Sequence, residues 1–474
     1  GGGGFGGGGF GGGGFGGGGF GGGGFGGGGF GGGGFGQIDS FRARGNKRLQ
    51  VDFLYRMQNI LSTQSERTFD FRHQLRGNAS AELIRKSLFV DTNAGIGQIL
   101  ANPFGRQTID NVANTGNRAN FYTYGISPYW RPYLGGYAEG EARFRYNYIT
   151  TSRGQASDSH ILTESVTLKS GHRFSLLTWK GSFYNSETKR TSGKDVKFQT
   201  GFGEIRYRWH RKFSTFVQAG YNNSNFAFRT NNNQNNNNKN GFFYTFGAAW
   251  KPSRYLKLEG GWGRNSFASI TLEPTRRTFL QAIYRHNRVG TVTGNVYQGI
   301  FRHRTRRTVW SAQYIESATT TQALIVQQQA VSEVDIGNIP LVDDVIIRKR
   351  GQISFTGNTA KTSINLNAYA AKRKFQETDI NSRILGINGS WLWRFGRRTF
   401  TNVSVLWQKT KFEDITLLNT KGTNYYWTSS FRLIRRLTPD FSAYIEYRRQ
   451  QQKSTDKDQE YIENRGLAGL TMTF

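Results

Sequence analysis

The chain has 474 residues, no cysteine and a net charge of +32, with 36% hydrophobic and 15% aromatic residues and a mean hydropathy of −0.59. The absence of cysteine excludes a disulfide framework and thiolate metal sites, and no run of about 18 apolar residues is present to cross a membrane as a helix. The surplus cations suit an anionic lipid or lipopolysaccharide surface, or an anionic substrate; nucleic acid is the weakest partner, because the basic residues alternate with aromatic ones along strand-like segments and gather on no helix or arm.

Residues 1–36 are seven Gly-Gly-Gly-Gly-Phe repeats and one further glycine. Such a tract has no charge, no alternation and maximal backbone entropy, so it specifies no fold by itself. An engineered or stand-in segment fits it better than a natural phenylalanine-glycine plug, and its side chains point to no function. No signal peptide is visible, as expected of a mature, processed chain.

Residues 37–474 read as one unit in which apolar and polar residues alternate with period two. Predicted strands 38–44 and 49–61 flank a Gly45-Asn46 turn, and 68–79 and 88–97 follow. A polar connection, 98–120, leads to 121–131. In 137–148 one face carries Ala138, Gly140, Ala142, Phe144, Tyr146 and Tyr148, and the other Glu139, Glu141, Arg143, Arg145 and Asn147. Segments 159–169 and 173–187 form a hairpin around Gly171-His172. Segment 198–211 turns Gly203, Ile205, Tyr207 and Trp209 outward and Glu204, Arg206, Arg208 and His210 inward. Segment 213–229 ends in the asparagine-rich loop 231–240, after which 241–250 and 255–267 pair. Strands 291–302, 308–315, 345–355, 362–372, 384–395, 399–409, 424–437, 440–450 and 460–474 complete the pattern. The last of these places Leu470, Met472 and the terminal Phe474 on one face, as a barrel-closing strand.

This is the signature of an all-β, transmembrane antiparallel β-barrel, with short periplasmic turns, long outer loops and aromatic strand ends. The connections alternate short and long when counted back from Phe474. One region breaks the phase: a strand at 276–287 would put the asparagine loop on the wrong side. Residues 268–290 are therefore expected to be a long outer loop. That leaves 21 strands where an even number is the rule, so parity puts the missing strand in the place of the glycine tract, for about 22 in all.

Several segments resemble the outer-membrane proteins associated with PEP-CTERM/exosortase systems. They are Leu341-Val342-Asp343-Asp344-Val345-Ile346-Ile347-Arg348-Lys349-Arg350, Arg302-His303-Arg304-Thr305-Arg306-Arg307-Thr308-Val309-Trp310-Ser311, Tyr461-Ile462-Glu463-Asn464-Arg465 with the closing strand, Ser127-Pro128-Tyr129-Trp130-Arg131, and residues 81–91. The resemblance covers most of 37–474 and rests on structural patterns with no chemistry attached. It implies an outer-membrane barrel in bacteria that make exopolysaccharide.

Candidate anion-binding residues are the inward arginines Arg143, Arg145, Arg206, Arg208, Arg432 and Arg448, with Glu139, Glu141, Glu204 and Glu446 as ion-pair partners. A basic lumen would favour an anionic polymer; a cross-strand ion-pair lattice that only holds the wall is the competing reading. Cations at 302–307, 397–398 and 435–436 fall near periplasmic turns and would suit an acidic periplasmic partner or plain solvation. Those at 348–350 and 372–374 approach the outer rim, where lipopolysaccharide phosphates lie. Trp130, Trp209, Trp262, Trp391, Trp393 and Trp407 read as girdle residues. None of the six histidines has a triad or paired metal-ligand spacing, so no catalytic site, metal or cofactor is expected. The function so implied is a passive conduit for anionic exopolysaccharide, with a structural surface-anchoring barrel or an anion-preferring porin as alternatives.

Overall fold

The computed structural model describes residues 48–61, 69–100, 105–106, 117–152, 158–225, 240–290, 292–329, 344–376, 381–413, 422–439 and 441–472. The predicted strand 38–44, the glycine tract and Phe474 lie outside these residues. The described strands are β1 Leu49–Leu61, β2 Phe69–Ile84, β3 Leu88–Leu100, β4 Arg118–Trp130, β5 Tyr133–Leu134, β6 Ala138–Thr151, β7 Ser159–Ser170 and β8 Leu177–Arg190. They continue with β9 Val196–His210, β10 Phe213–Ser224, β11 Gly241–Ser253, β12 Leu256–Gly263, β13 Asn265–Thr275, β14 Thr278–Asn287, β15 Gly294–Arg304 and β16 Thr308–Thr320. A helix, α1 Thr321–Gln329, precedes β17 Val345–Asn358, β18 Thr362–Phe375, β19 Asn381–Arg394, β20 Thr399–Glu413, β21 Thr423–Arg436, β22 Phe441–Ser454 and β23 Tyr461–Met472.

Apart from β4 and β5, every strand pairs antiparallel with its sequence neighbours, from β1–β2 to β22–β23. The short β5 continues β4, since both pair with β6 on either side of Pro132, which has no amide proton to give the ladder. The wall therefore has 22 strands among the described residues. It curls far enough for Arg106, after β3, to donate from Nε and Nη2 to the carbonyl of Asp458, before β23, at 3.3 and 3.1 Å. The fold is a transmembrane antiparallel β-barrel.

The expected outer loop at 268–290 is instead a hairpin, β13–β14, with Thr275 opposite Thr278. What reads as one strand over 255–267 is two, folded back around Arg264. Gly263 N–H donates to Ser266 Oγ at 3.3 Å, and Arg264 Nη1 reaches the Phe242 carbonyl at 2.9 Å. Asn265 ties this turn to the next outer connection, accepting from Arg288 N and Val289 N and donating to the Val289 carbonyl. The extra hairpin restores the phase of every connection. It also reaches the even number within the described residues, so parity no longer calls for a strand in the glycine tract.

With the β23 end periplasmic, all ten periplasmic turns are two to six residues long, as at 211–212, 276–277 and 171–176. Three of them share one lock. Thr305 and Thr308, like Thr359 and Thr362, pair through their hydroxyls at 2.7 Å, and Thr275 and Thr278 do so at 3.0 Å. Outward side chains form the apolar wall, with Ile353 60%, Ile387 55% and Ile445 58% exposed. Leu470 stands on this face, and Met472 pairs with Phe441 in β23. Aromatic residues gather at the periplasmic strand ends, where Trp391 and Trp393 stack at 5.8 Å and Trp310 meets Phe355 at 4.4 Å. An apolar wall over strands of about ten residues, belted by aromatic rings, is built for a bilayer. Within the described residues no helix is long and apolar enough to cross one.

Candidate functional site: the lumen and its periplasmic mouth

Period two puts the candidate arginines and glutamates of β6, β9, β21 and β22 on the inner face, and the ladder brings most of them into three clusters. In the first, Glu141 accepts from Arg131 at 2.9 Å and from Arg143 at 3.1 Å, while Arg143 also holds Asp91 at 2.9 Å. The Arg143 guanidinium stacks 3.8 Å from the centre of the Tyr129 ring. In the second, Arg206 bridges Glu204 at 3.0 Å and Glu259 at 2.6 Å, and Lys257 meets Glu259 at 2.6 Å. In the third, Glu446 sits between two guanidiniums: Arg432 Nε donates at 2.6 Å and Arg448 Nε at 2.9 Å, all three side chains being buried. Glu139 pairs with Lys169 at 3.1 Å, at a more exposed point.

The six candidate arginines thus divide. Arg143 and Arg206 belong to clusters with as many carboxylates as cations, and they serve the ion-pair lattice. Arg432 and Arg448 both hold the carboxylate of Glu446. Arg145 and Arg208 make no ion pair among the described residues. Arg145 is half-buried two residues along β6 from Arg143, and Arg208 is exposed toward the periplasmic end of β9. Sequence alternation found the inner face but missed Glu259, Asp91 and Lys257, whose strands carry too few charges to stand out.

The periplasmic mouth is more strongly marked. Nine of its ten turns, all but 135–137, carry or adjoin a cation. Those inside the turns are Arg85, Lys86, Arg173, Arg211, Lys212, Arg254, Arg276, Arg277, Arg306, Arg307, Lys361, Arg397 and Arg398, with Arg435 and Arg436 at the end of β21; Asp440 is the one acid within these turns. The paired arginines at 276–277, 306–307 and 397–398 are exposed and have no ion-pair partner among the described residues. The outer connections hold most of the loop acids, among them Asp158, Asp195, Asp344, Asp456 and Asp458. Among the described residues the connections are therefore polarised, with basic turns at the periplasmic mouth and most of the loop acids at the outer end.

Toward the outer end the inner face is closed in by polar side chains such as Arg190, Arg373, Gln450 and Gln452 and by apolar ones. Phe121, Ile149, Ile161, Val196, Val296 and Ile346 are buried there. The connection expected at 316–344 begins later, because β16 runs to Thr320, and it continues as α1. Thr320 caps this helix, its hydroxyl accepting from Ala323 N at 3.1 Å. The helix buries Leu324 and Ile325 and lies against β7, nine strands away along the wall from β16. The far end of the connection is pinned by the fully buried Asp344, which accepts from Val345 N at 2.6 Å and Gln376 N at 2.9 Å. Helix α1 thus lies inside the barrel and narrows it.

No family model matches the chain, and no curated protein does. Among solved structures it is similar to the copper transporter OprC, with 12% identity over 89% of this chain and 71% of that one at a TM-score of 0.38. The ferric enterobactin receptor PfeA of Pseudomonas aeruginosa gives 9% identity over 90% and 81% at 0.42, and the siderophore receptor PirA of Acinetobacter baumannii 8% over 89% and 73% at 0.41. Nothing that those proteins carry transfers to this chain at such identity. Its own apolar wall, aromatic belt and strand-and-turn phase are those of a barrel of the bacterial outer membrane.

Proposed function

We propose that the barrel is a passive outer-membrane conduit for anionic exopolysaccharide, loaded from the periplasm. The observation that carries this reading is the cationic periplasmic mouth. Ion pairs in the lattice hold the wall and cancel, whereas exposed turn arginines with no ion-pair partner among the described residues raise the local concentration of a polyanion. Arg145 and Arg208, which make no ion pair among the described residues, then offer weak, spaced sites inside, so that a chain advances without being trapped. Guanidinium groups suit carboxylate and sulfate groups because they donate two parallel hydrogen bonds. The likeness to PEP-CTERM/exosortase-associated proteins points the same way.

A second reading, a structural barrel anchoring surface loops, is favoured by α1 lying across the outer half of the lumen. Single-channel conductance in planar bilayers separates the two. The conduit predicts anion-selective openings, read from the reversal potential, that acidic polysaccharide blocks from the periplasmic side. Silence at all voltages would leave the structural barrel, and an unselective pore would reduce the mouth to solvated rim charge.

A further inference from the structure

The outer wall of β17–β20 carries a row of cations that faces lipid and not the lumen. Residues directly opposite in the ladder run Lys349, Lys372, Arg383 and Lys411 across four consecutive strands. Lys374 stands one step above this row and Lys409 one step below, on the same face. Like charges directly opposite one another are destabilising in a sheet, and the acids among the described residues do not balance this row. Glu316 meets Lys349 at 3.0 Å, and Glu413 lies 3.1 Å from Arg383 and 3.7 Å from Lys411. Among the described residues six cations therefore share two carboxylates, and Lys372 and Lys374 have no partner.

The height of the row identifies what balances it. Along β19, Arg383 is followed on the same outward face by Leu385, Ile387, Gly389, Trp391 and Trp393. Ten residues at about 3.3 Å each, tilted about 40°, span roughly 25 Å, the height of the apolar band of such barrels. Trp391 and Trp393 mark its periplasmic edge, so Arg383 marks the outer edge. Leu366, Leu385 and Val405 are exposed just below the cations. Arg348 and Arg350, by contrast, belong to the inner face, where Arg350 stacks 5.6 Å from the Tyr369 ring, so only Lys349 of that run meets lipid.

We propose that this sector is a binding site for the phosphate groups of lipopolysaccharide, with the acyl chains lying on the apolar wall beneath. A soluble anion would use the cations alone, whereas an anionic glycolipid uses both layers. The guanidinium of Arg383 supplies the planar fork that phosphate accepts, and the lysines supply point charge around it. The proposal rests on the placement in the outer membrane and not on the conduit.

The test is native mass spectrometry of the whole barrel in detergent, titrated with bisphosphorylated lipid A, dephosphorylated lipid A or inorganic phosphate. The expected result is a retained bisphosphorylated adduct that inorganic phosphate does not displace. The triple variant Lys372→Gln, Arg383→Gln, Lys411→Gln should weaken it at least tenfold, with β-sheet circular dichroism unchanged. Should the triple variant fold poorly, Lys372→Gln alone should weaken it about threefold, against no change for Lys189→Gln, another outward lysine on β8. Equal binding of dephosphorylated lipid A, displacement by inorganic phosphate, or an equal loss with Lys189→Gln would each overturn the site. No outcome depends on conductance, so failure here and failure of the conduit are read separately.

Discussion

The Tyr369 side chain covers Gly386 on the neighbouring strand, and its hydroxyl donates to Gln408 Oε1 at 2.6 Å, two strands away. A β-carbon at residue 386 would stand 2.3 Å from the ring. Phe121 over Gly97, Phe216 over Gly247 and Tyr444 over Gly469 repeat the arrangement. Aromatic residues thus fill the inner wall where glycine leaves room, which pins register across strands. Gly386→Ala should force the ring away and cost about 1–3 kcal/mol. Gly466→Ala, at an open position with no atom within 4 Å, should stay within about 0.5 kcal/mol. Urea unfolding in detergent micelles compares the two, and equal midpoints would refute the packing role.

Glu446 tests the lattice. Its carboxylate is fully buried between Arg432 and Arg448, so Glu446→Gln leaves two buried guanidiniums facing an amide. Breaking such a cluster by removing one partner costs about 3–5 kcal/mol. Glu139→Gln, at a half-exposed pair with Lys169, should cost less than about 1 kcal/mol. Similar unfolding midpoints for both variants would show that burial does not set the strength of these pairs.

Arg145 separates selectivity from stability. Arg143→Gln breaks contacts to both Asp91 and Glu141 and should lower stability while moving selectivity little. Arg145→Gln breaks no ion pair among the described residues, so it should leave the unfolding midpoint within about 0.5 kcal/mol and shift the reversal potential toward cations. The opposite ranking in bilayer recordings would place the anion path elsewhere.

Most of the wall was legible because period two survives in nearly every segment: the facing of Arg143, Arg206, Arg432 and Arg448 follows from alternation alone. The hairpin β13–β14 was not, because Leu258 to Ile270 alternates straight through Arg264 and nothing in the pattern marks a one-residue turn. A local signal existed in Thr275-Arg276-Arg277-Thr278, which repeats the turn Thr305-Arg306-Arg307-Thr308 letter for letter. Burial of the outer half of the lumen was equally invisible. It depends on where α1 folds, and the helix announces itself only by a short apolar run, Ala323-Leu324-Ile325-Val326, inside a polar connection.

The same helix should set conductance. Leu324 and Ile325 are its buried anchors, and removing such side chains costs roughly 2–5 kcal/mol each. Leu324→Ser with Ile325→Ser should release α1 from β7 and raise single-channel conductance, while the strands keep their circular dichroism. Unchanged conductance would mean that α1 does not bound the path.

The periplasmic turns carry the last prediction. Arg276, Arg277, Arg306, Arg307, Arg397 and Arg398 lie in turns outside the strands; the threonine locks at 275–278 and 305–308 are hydroxyl pairs that need no guanidinium, and Arg398 adds one long contact, from Nη1 to the Leu437 carbonyl at 3.5 Å. Replacing all six by Gln should therefore spare the fold. The attraction they exert is between exposed charges, screened over about 8 Å at physiological ionic strength. Block by acidic polysaccharide added at the periplasmic face should weaken at least tenfold in the variant at low salt, and the gap should close as salt rises. Block from the outer face, where the connections carry Asp158, Asp195 and Asp456, should be weak in both proteins. If block is equally strong from both faces, the axial charge asymmetry does not direct the polymer, and loading from the periplasm loses its physical basis.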